Sequence, residues 1–382
     1  MAIGDGDGTA RMHGRLGDGF SDGFVPVEPI DLDKCKTVRD LVEAMGKTSL
    51  TARSIGDAAE LLYDMATNKD CHVVLTISGI MTVAKQGLII TDLIDRGIVN
   101  AVVATGALIT HGFVQTAGCA HFKYVKGQMG DKELFERGYD RVYDTLELEK
   151  NLDYAEAIVS KVFDSLPTDK PLGSHDLCRE FGKYLHENVE GRGILESAYE
   201  KNVPVYIPAF TDSELGLDFS IYNRRSRRNG KPELKYDAFA DLEKFAADIE
   251  QMKSHGIFTI GGGVPRNWAQ QVAPYLDILL DRGAQERVRY VRYKYGLRIC
   301  PEPVEWGGLS GCTYSEGVSW GKFMPESEGG RYVEVLSEAT AVLPLIVKAV
   351  FERLDAEGVK IEKNPRLTES ELSKLREPKK RK

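Results

Sequence analysis

The chain has 382 residues and a formal net charge of −8, from 50 Lys and Arg against 58 Asp and Glu. With 42% hydrophobic and 28% charged residues, it is neither a disordered chain nor a collagen or coiled-coil repeat, and its length supports a core that needs no disulfide or metal. The acidic balance speaks against a general nucleic-acid binder and suits a cationic substrate drawn in by the field.

Residues 1–24 are rich in Gly and Asp without periodicity, so an arm over 1–24 is expected ahead of one large domain over 25–360, with Met12 as an alternative start. This arm lacks the apolar core of a signal peptide, and no apolar run reaches the roughly 18 residues of a membrane span. A cytoplasmic chain is therefore expected. The six cysteines, at 35, 71, 119, 178, 300 and 312, form no CxxC pair, which predicts reduced thiols and no structural zinc.

From Leu41 to Met65 apolar residues recur at three and four positions, which predicts two or three helices. Four short apolar runs then end in small residues: Val73–Ser78, Ala101–Ala104, Val205–Phe210 and Ile257–Ile260. Helical patterns occupy Val83–Asp95, Tyr154–Leu166, Leu177–Val189 and Ala238–Ser254. Strands alternating with helices predict an α/β fold with a mostly parallel sheet flanked by helices, and such sheets bind ligands at the carboxyl ends of their strands. Further strands are read at Tyr290–Tyr295 and Val333–Leu336, and an apolar helix at Ala341–Leu354. Residues 361–382, closing in REPKKRK, read as a charged, solvated tail.

Gly261–Gly262–Gly263 follows a strand, where it either lets the backbone approach a phosphate or simply makes a tight turn. No GxGxxG follows any strand. Thr105–Gly106–Ala107 is similar in kind. Asp212, just past a strand, either accepts hydrogen bonds from ribose hydroxyls or caps the next helix, and the cap is the better reading. Asn223–Lys231 reads as a loop whose Arg224, Arg225, Arg227 and Arg228 either clamp an anion or are merely solvated. Lys322, beside Trp320, is the residue to test as a nucleophile, since only a neutral amine attacks an imine and an aromatic wall favours that form. Trp320 and Glu316 together suit a cationic polyamine. His111 is either a satisfied polar residue or a proton-transfer group.

Gly307–Gly308–Leu309–Ser310–Gly311, followed by Glu316–Gly317–Val318–Ser319–Trp320–Gly321–Lys322, resembles the signature of deoxyhypusine synthases. Thr105–Gly106–Ala107 with His111, Pro208–Asp212, Gly261–Pro265 and Glu338–Ala339 match in the same order, so the resemblance runs from Asp31 to Leu354. It implies a Rossmann-like NAD-binding fold assembled as a homotetramer, with active sites between subunits and an N-terminal arm covering a neighbour's site. It also implies transfer of a 4-aminobutyl group from a polyamine such as spermidine through an imine on Lys322. The acceptor would be a lysine of an initiation factor 5A-type protein, or a small amine as in homospermidine formation. Trp320, Glu316, Glu338 and Ala339 would bind the polyamine, while Thr105, Gly106, Ala107, Asp212 and Gly261–Gly263 would contact NAD.

The sequence also departs from the family. Gly79–Lys85 replaces an SNLISSG-like cofactor stretch of eukaryotic members. Their histidine after the triple glycine becomes Asn267, which leaves proton transfer open, with His111 as candidate. Spermidine-binding carboxylates become Leu217 and Leu309, a nearby aspartate becomes Trp306, and Asp218 stands as a partial replacement. An NAD-dependent amine dehydrogenase and an idle NAD or polyamine sensor are the competing functions.

Overall fold

The computed structural model describes residues 17–378; Met12, most of the expected arm and the last four basic residues lie outside them. The described part starts with an exposed segment and two helices, α1 (Val38–Gly46) and α2 (Leu50–Thr67). Thr37 caps α1 in a capping box with Asp40. The two helices cross where a Cβ on Gly56 would lie 2.3 Å from Gly46 Cα, so only glycine permits this approach. Strand and helix then alternate through β1 (Cys71–Ile77), α3 (Gly87–Asp95), β2 (Ala101–Ala104), α4 (Gly106–Thr116), α5 (Glu149–Asp164), α6 (Ser174–Asn188) and β3 (Val205–Tyr206). They continue through α7 (Glu214–Arg228), α8 (Ala238–Glu250), β4 (Ser254–Ile260), α9 (Gly263–Asp281), β5 (Tyr295–Ile299), α10 (Tyr314–Ser319), β6 (Arg331–Val335), α11 (Ala339–Glu357) and α12 (Glu369–Leu375).

The six strands form one parallel sheet in the order β6-β5-β4-β1-β2-β3. This is the 3-2-1-4-5-6 order of doubly wound nucleotide-binding sheets, read from its other edge, and the strand order reverses between β1 and β4. The expected α/β fold is therefore present. β1 is buried along its whole length and alternates its side chains, with Val73, Leu75 and Ile77 entering the core under α2, α3, α4 and α11, and Val74 entering the core under α8 and α9. Its one inward hydroxyl, Thr76, is bonded to Thr259 Oγ1 of β4 at 2.9 Å.

Several expectations are corrected. The fifth strand is Tyr295–Ile299, because Tyr293 pairs with Phe323 outside the ladder and the buried Arg298 breaks the apolar pattern within it. Only Val205–Tyr206 of the third run pairs, since the Ile207 N–H turns away to Ser174 Oγ at 2.7 Å. The arginines of Asn223–Lys231 close α7 rather than forming a loop, with Arg225 on Glu156 at 2.5 Å and Arg227 on Glu233 at 2.6 Å. Residues 361–378 are not solely a solvated tail. Lys363 Nζ donates to the carbonyls of Met65, Asn68 and Cys71, from the end of α2 to the start of β1, and Arg376 pairs with Glu250 at 2.7 Å. A small antiparallel sheet of residues 122–123, 139–142 and 145–148 had no clear sequence signal. Among the described residues no helix is long and apolar enough to cross a membrane.

Candidate active site

The crevice at the β1/β4 switch point is built from serines and glycines. Ser78, just after β1, accepts a hydrogen bond from Gly262 N at 2.9 Å. A Cβ on Gly261 (φ +78°) would lie 2.1 Å from Ser78 Oγ, and one on Gly262 would lie 2.6 Å from Ser310 Cα. Gly263, at φ +60°, opens α9 with nothing within 4 Å of its Cβ position. The glycines therefore serve a close backbone approach on one side and leave an open helix N-terminus on the other.

The neighbouring strand ends continue this surface. Thr105 precedes α4, and its Oγ1 donates to Gly79 O at 2.9 Å. Gly106 lies so close to Ser213 that a Cβ would come within 2.2 Å of Ser213 Cβ, and the half-buried Ala107 follows it. Ser213, and not Asp212, caps α7 by accepting from Gly216 N at 3.2 Å. Asp212 is thus left exposed, its carboxylate without a hydrogen bond among the described residues. Thr105, Gly106, Asp212 and the triple glycine consequently line adjacent strand ends. An open glycine N-terminus and a free carboxylate at a switch point fit a dinucleotide. The Gly79–Lys85 stretch offers less to such a ligand, since Met81, Thr82 and Val83 are buried and Thr82 Oγ1 donates to Leu108 O at 2.8 Å.

Lys322 lies on the α9 side of the sheet. Its backbone is held by Gly317 O and by Tyr293 N, both at 3.0 Å. Its Nζ donates to Asn267 Oδ1 at 3.0 Å and lies 5.8 Å from the centroid of the Trp320 ring. Asn267 is four residues past Gly263, about one helical turn from the open N-terminus, and its Nδ2 donates to Gln271 Oε1 at 3.0 Å. Burial, and secondarily the cationic Arg266, lowers the Lys322 amine below the usual lysine range, against opposing pulls from Cys312 and Glu316. Trp320 and Glu316 are both exposed beside it. Leu217, Trp306 and Leu309 are exposed as well, and Asp218 is half-buried with its carboxyl pushed up to about 6 by burial and by Glu156 and Glu214. Glu338 caps α11, accepting from Thr340 N at 2.9 Å and Ala341 N at 3.1 Å, with Ala339 buried behind it.

His111 belongs to a second cluster and has no contact with Lys322 within the chain. Glu147, in the small antiparallel sheet, receives Asn151 Nδ2 at 2.8 Å and Leu148 N at 3.0 Å on one carboxylate oxygen. Its other oxygen lies 3.3 Å from His111 Nδ1 and 2.6 Å from His121 Nε2. Lys85 Nζ approaches His121 Nδ1 at 2.6 Å. Burial alone would raise the Glu147 carboxyl, but these contacts hold it well below the usual range. The two imidazoles and the carboxylate are of metal-ligating type, yet the Lys85 amine at the same ring, cationic when protonated, opposes a dication. Sequence reading missed His121, Glu147 and Arg266. Their signal is only spatial, because 36 residues separate His111 from Glu147.

The family model for deoxyhypusine synthase matches residues 40–350. A probable deoxyhypusine synthase 2 of Methanosarcina acetivorans is 31% identical over 337 residues, covering 86% of this chain and 90% of the relative. A deoxyhypusine synthase-like protein of Caulobacter vibrioides is 30% identical, covering 87% and 88%. Among solved structures, that of a candidate deoxyhypusine synthase from Entamoeba histolytica superposes with a TM-score of 0.55 at 16% identity, covering 85% of this chain and 97% of that one. At that identity the likeness speaks for the fold alone.

Proposed function

This chain belongs to the deoxyhypusine synthase family, and from that premise we propose that it is an NAD-dependent transferase moving a 4-aminobutyl group from a polyamine such as spermidine to an amine acceptor. The observation that carries the reading is the half-buried Lys322 amine, held on Asn267 beside Trp320 and about a turn from the open end of α9. Gly261–Gly263, Thr105, Gly106, Ala107 and Asp212 would hold NAD, which would supply a reversible hydride acceptor for the carbon beside the donor's secondary amine.

Lys322 then adds its neutral amine to the oxidised carbon, the diamine leaves with a proton, and the acceptor amine displaces the lysine in turn. Trp320 walls the cationic chain, and Glu316 receives an ammonium group. Glu338 and Ala339 complete the polyamine site, Glu338 through whatever hydrogen-bonding capacity its capping role leaves. His111, its ring set by Glu147, is the candidate proton acceptor, and it serves only where subunits of a homotetramer bring it to a neighbour's Lys322. Replacement of carboxylates by Leu217 and Leu309 removes charge-assisted contacts of about 1.5–3 kcal/mol each, which supports a donor or acceptor different from that of the protein-modifying members.

Incubation with NAD, labelled spermidine and borohydride should place label on Lys322, and unchanged turnover in Lys322→Arg would sink the mechanism. Mass spectrometry with spermidine, putrescine, agmatine and an initiation factor 5A-type protein identifies the acceptor. Steady accumulation of NADH, in place of a transient, would instead mark an amine dehydrogenase.

A further inference from the structure

Arg266 is only 2% exposed, yet among the described residues its guanidinium has no ion pair and no hydrogen bond. It lies over the Tyr314 ring, 5.3 Å from ring centroid to Cζ. A buried guanidinium is not relieved by losing its proton, so an unpaired one is a standing cost to the fold. The carboxylate that faces it is already engaged: Glu334 of β6 pairs with Arg298 of β5 and accepts from Tyr314 N at 3.0 Å. Arg298 is spent in the same way, donating to the carbonyls of Ser310 and Cys312.

Asn267, the next residue on α9, holds Lys322 Nζ. The titratable and charged groups facing Lys322 are Arg266 from α9, Cys312 from the preceding loop and Glu316 from α10. Those facing Arg266 are Tyr314, Cys312, Arg298 and Glu334. Of these, Glu316 is exposed to solvent, where its field is screened. After burial, the largest influence on the amine is thus a second positive charge, carried by the residue next to the one that holds Lys322.

We infer that Arg266 is a positioning residue for the reaction proposed above, a fixed and deliberately unneutralised cation whose field favours the uncharged, nucleophilic form of Lys322. A lysine next to another cation is an established way to obtain a neutral amine near pH 7. The inference rests on the transferase reading for its purpose, but its test does not.

Competitive labelling with trace acetic anhydride across pH, read by mass spectrometry on the peptide holding Lys322, gives the amine's own titration midpoint without substrate or turnover. In the intact protein Lys322 should titrate below the exposed Lys132. Arg266→Met should move its midpoint up by about one pH unit, Arg266→Gln should do the same, and Arg266→Lys should leave it near the starting value. The acid limb of the transfer rate should shift with it. The inference is overturned if Lys322 labels like Lys132 in the unaltered protein, or if either neutral variant, with native circular dichroism, keeps the original midpoint. A low midpoint that rises in Arg266→Met but accompanies no transfer to any amine would sink the transferase reading and leave the role of Arg266. Transfer with an unmoved midpoint would do the reverse.

Discussion

Around Glu147 one carboxylate meets two imidazoles, an amide and a backbone N–H. Around Lys322 one cation sits on an amide oxygen and the Trp320 ring and a second on the Tyr314 ring, while the carboxylates nearby are either engaged or in solvent. Both clusters bury charge near the helix starts at the strand ends, and both draw on segments distant in sequence. The first is internally neutralised and so stabilises the fold. The second is left electrostatically incomplete, which costs stability and, on the function proposed above, keeps an amine available for chemistry.

Removing the charge from each cluster should therefore have opposite consequences. Lys322→Met should lower transfer by about a thousandfold or more while leaving the denaturation midpoint unchanged or slightly higher, as product analysis and urea titration will show. Loss of stability there would erase the contrast. Glu147→Gln should destabilise the protein by about 3 kcal/mol, because two imidazoles lose their shared partner inside the protein; a chemical denaturation curve superposing on the parent would show that the cluster is not a structural one.

A control lies at the amino ends of the two central strands, where His72 and His255 face each other across β1 and β4 and burial pushes them down to about 3 and about 4. The unfolded chain takes up protons on both below pH 6.5, and the folded chain does not. Stability should be complete above that pH and fall by up to about 1.4 kcal/mol per pH unit for each histidine as pH drops towards 4. Melting curves that stay flat from pH 7 to 5 would count against this. The smallest change is Asn267→Asp, which gives Lys322 the counter-charge it lacks. Its labelling midpoint should rise, and transfer near neutral pH should fall about tenfold. An unchanged rate would mean that neutralisation is not what limits this corner.

How much of this was legible in sequence follows from what patterns can encode. β1 and β2 are continuous apolar runs closed by small residues, and the glycines of 261–263 answer a backbone approach that no side chain tolerates. β5 was displaced because its buried arginine is satisfied by carbonyls and a glutamate that only the folded chain supplies. The cap of α7 fell to Ser213 instead of Asp212 by one residue, and Ser213 packs closely against Gly106 of α4, a contact that no sequence pattern reports. Lys322 stood out through the motif around it. Arg266 did not, since nothing in a sequence reports that an arginine will go unpaired.

The Lys363 ammonium is seated on carbonyls that run from the end of α2 to the start of β1. Residue 363 follows every group it covers in the chain, so those carbonyls are left to water in any state in which the segment after α11 has not docked. The amino end of β1 is thus closed by a segment that follows every strand of the sheet in the chain.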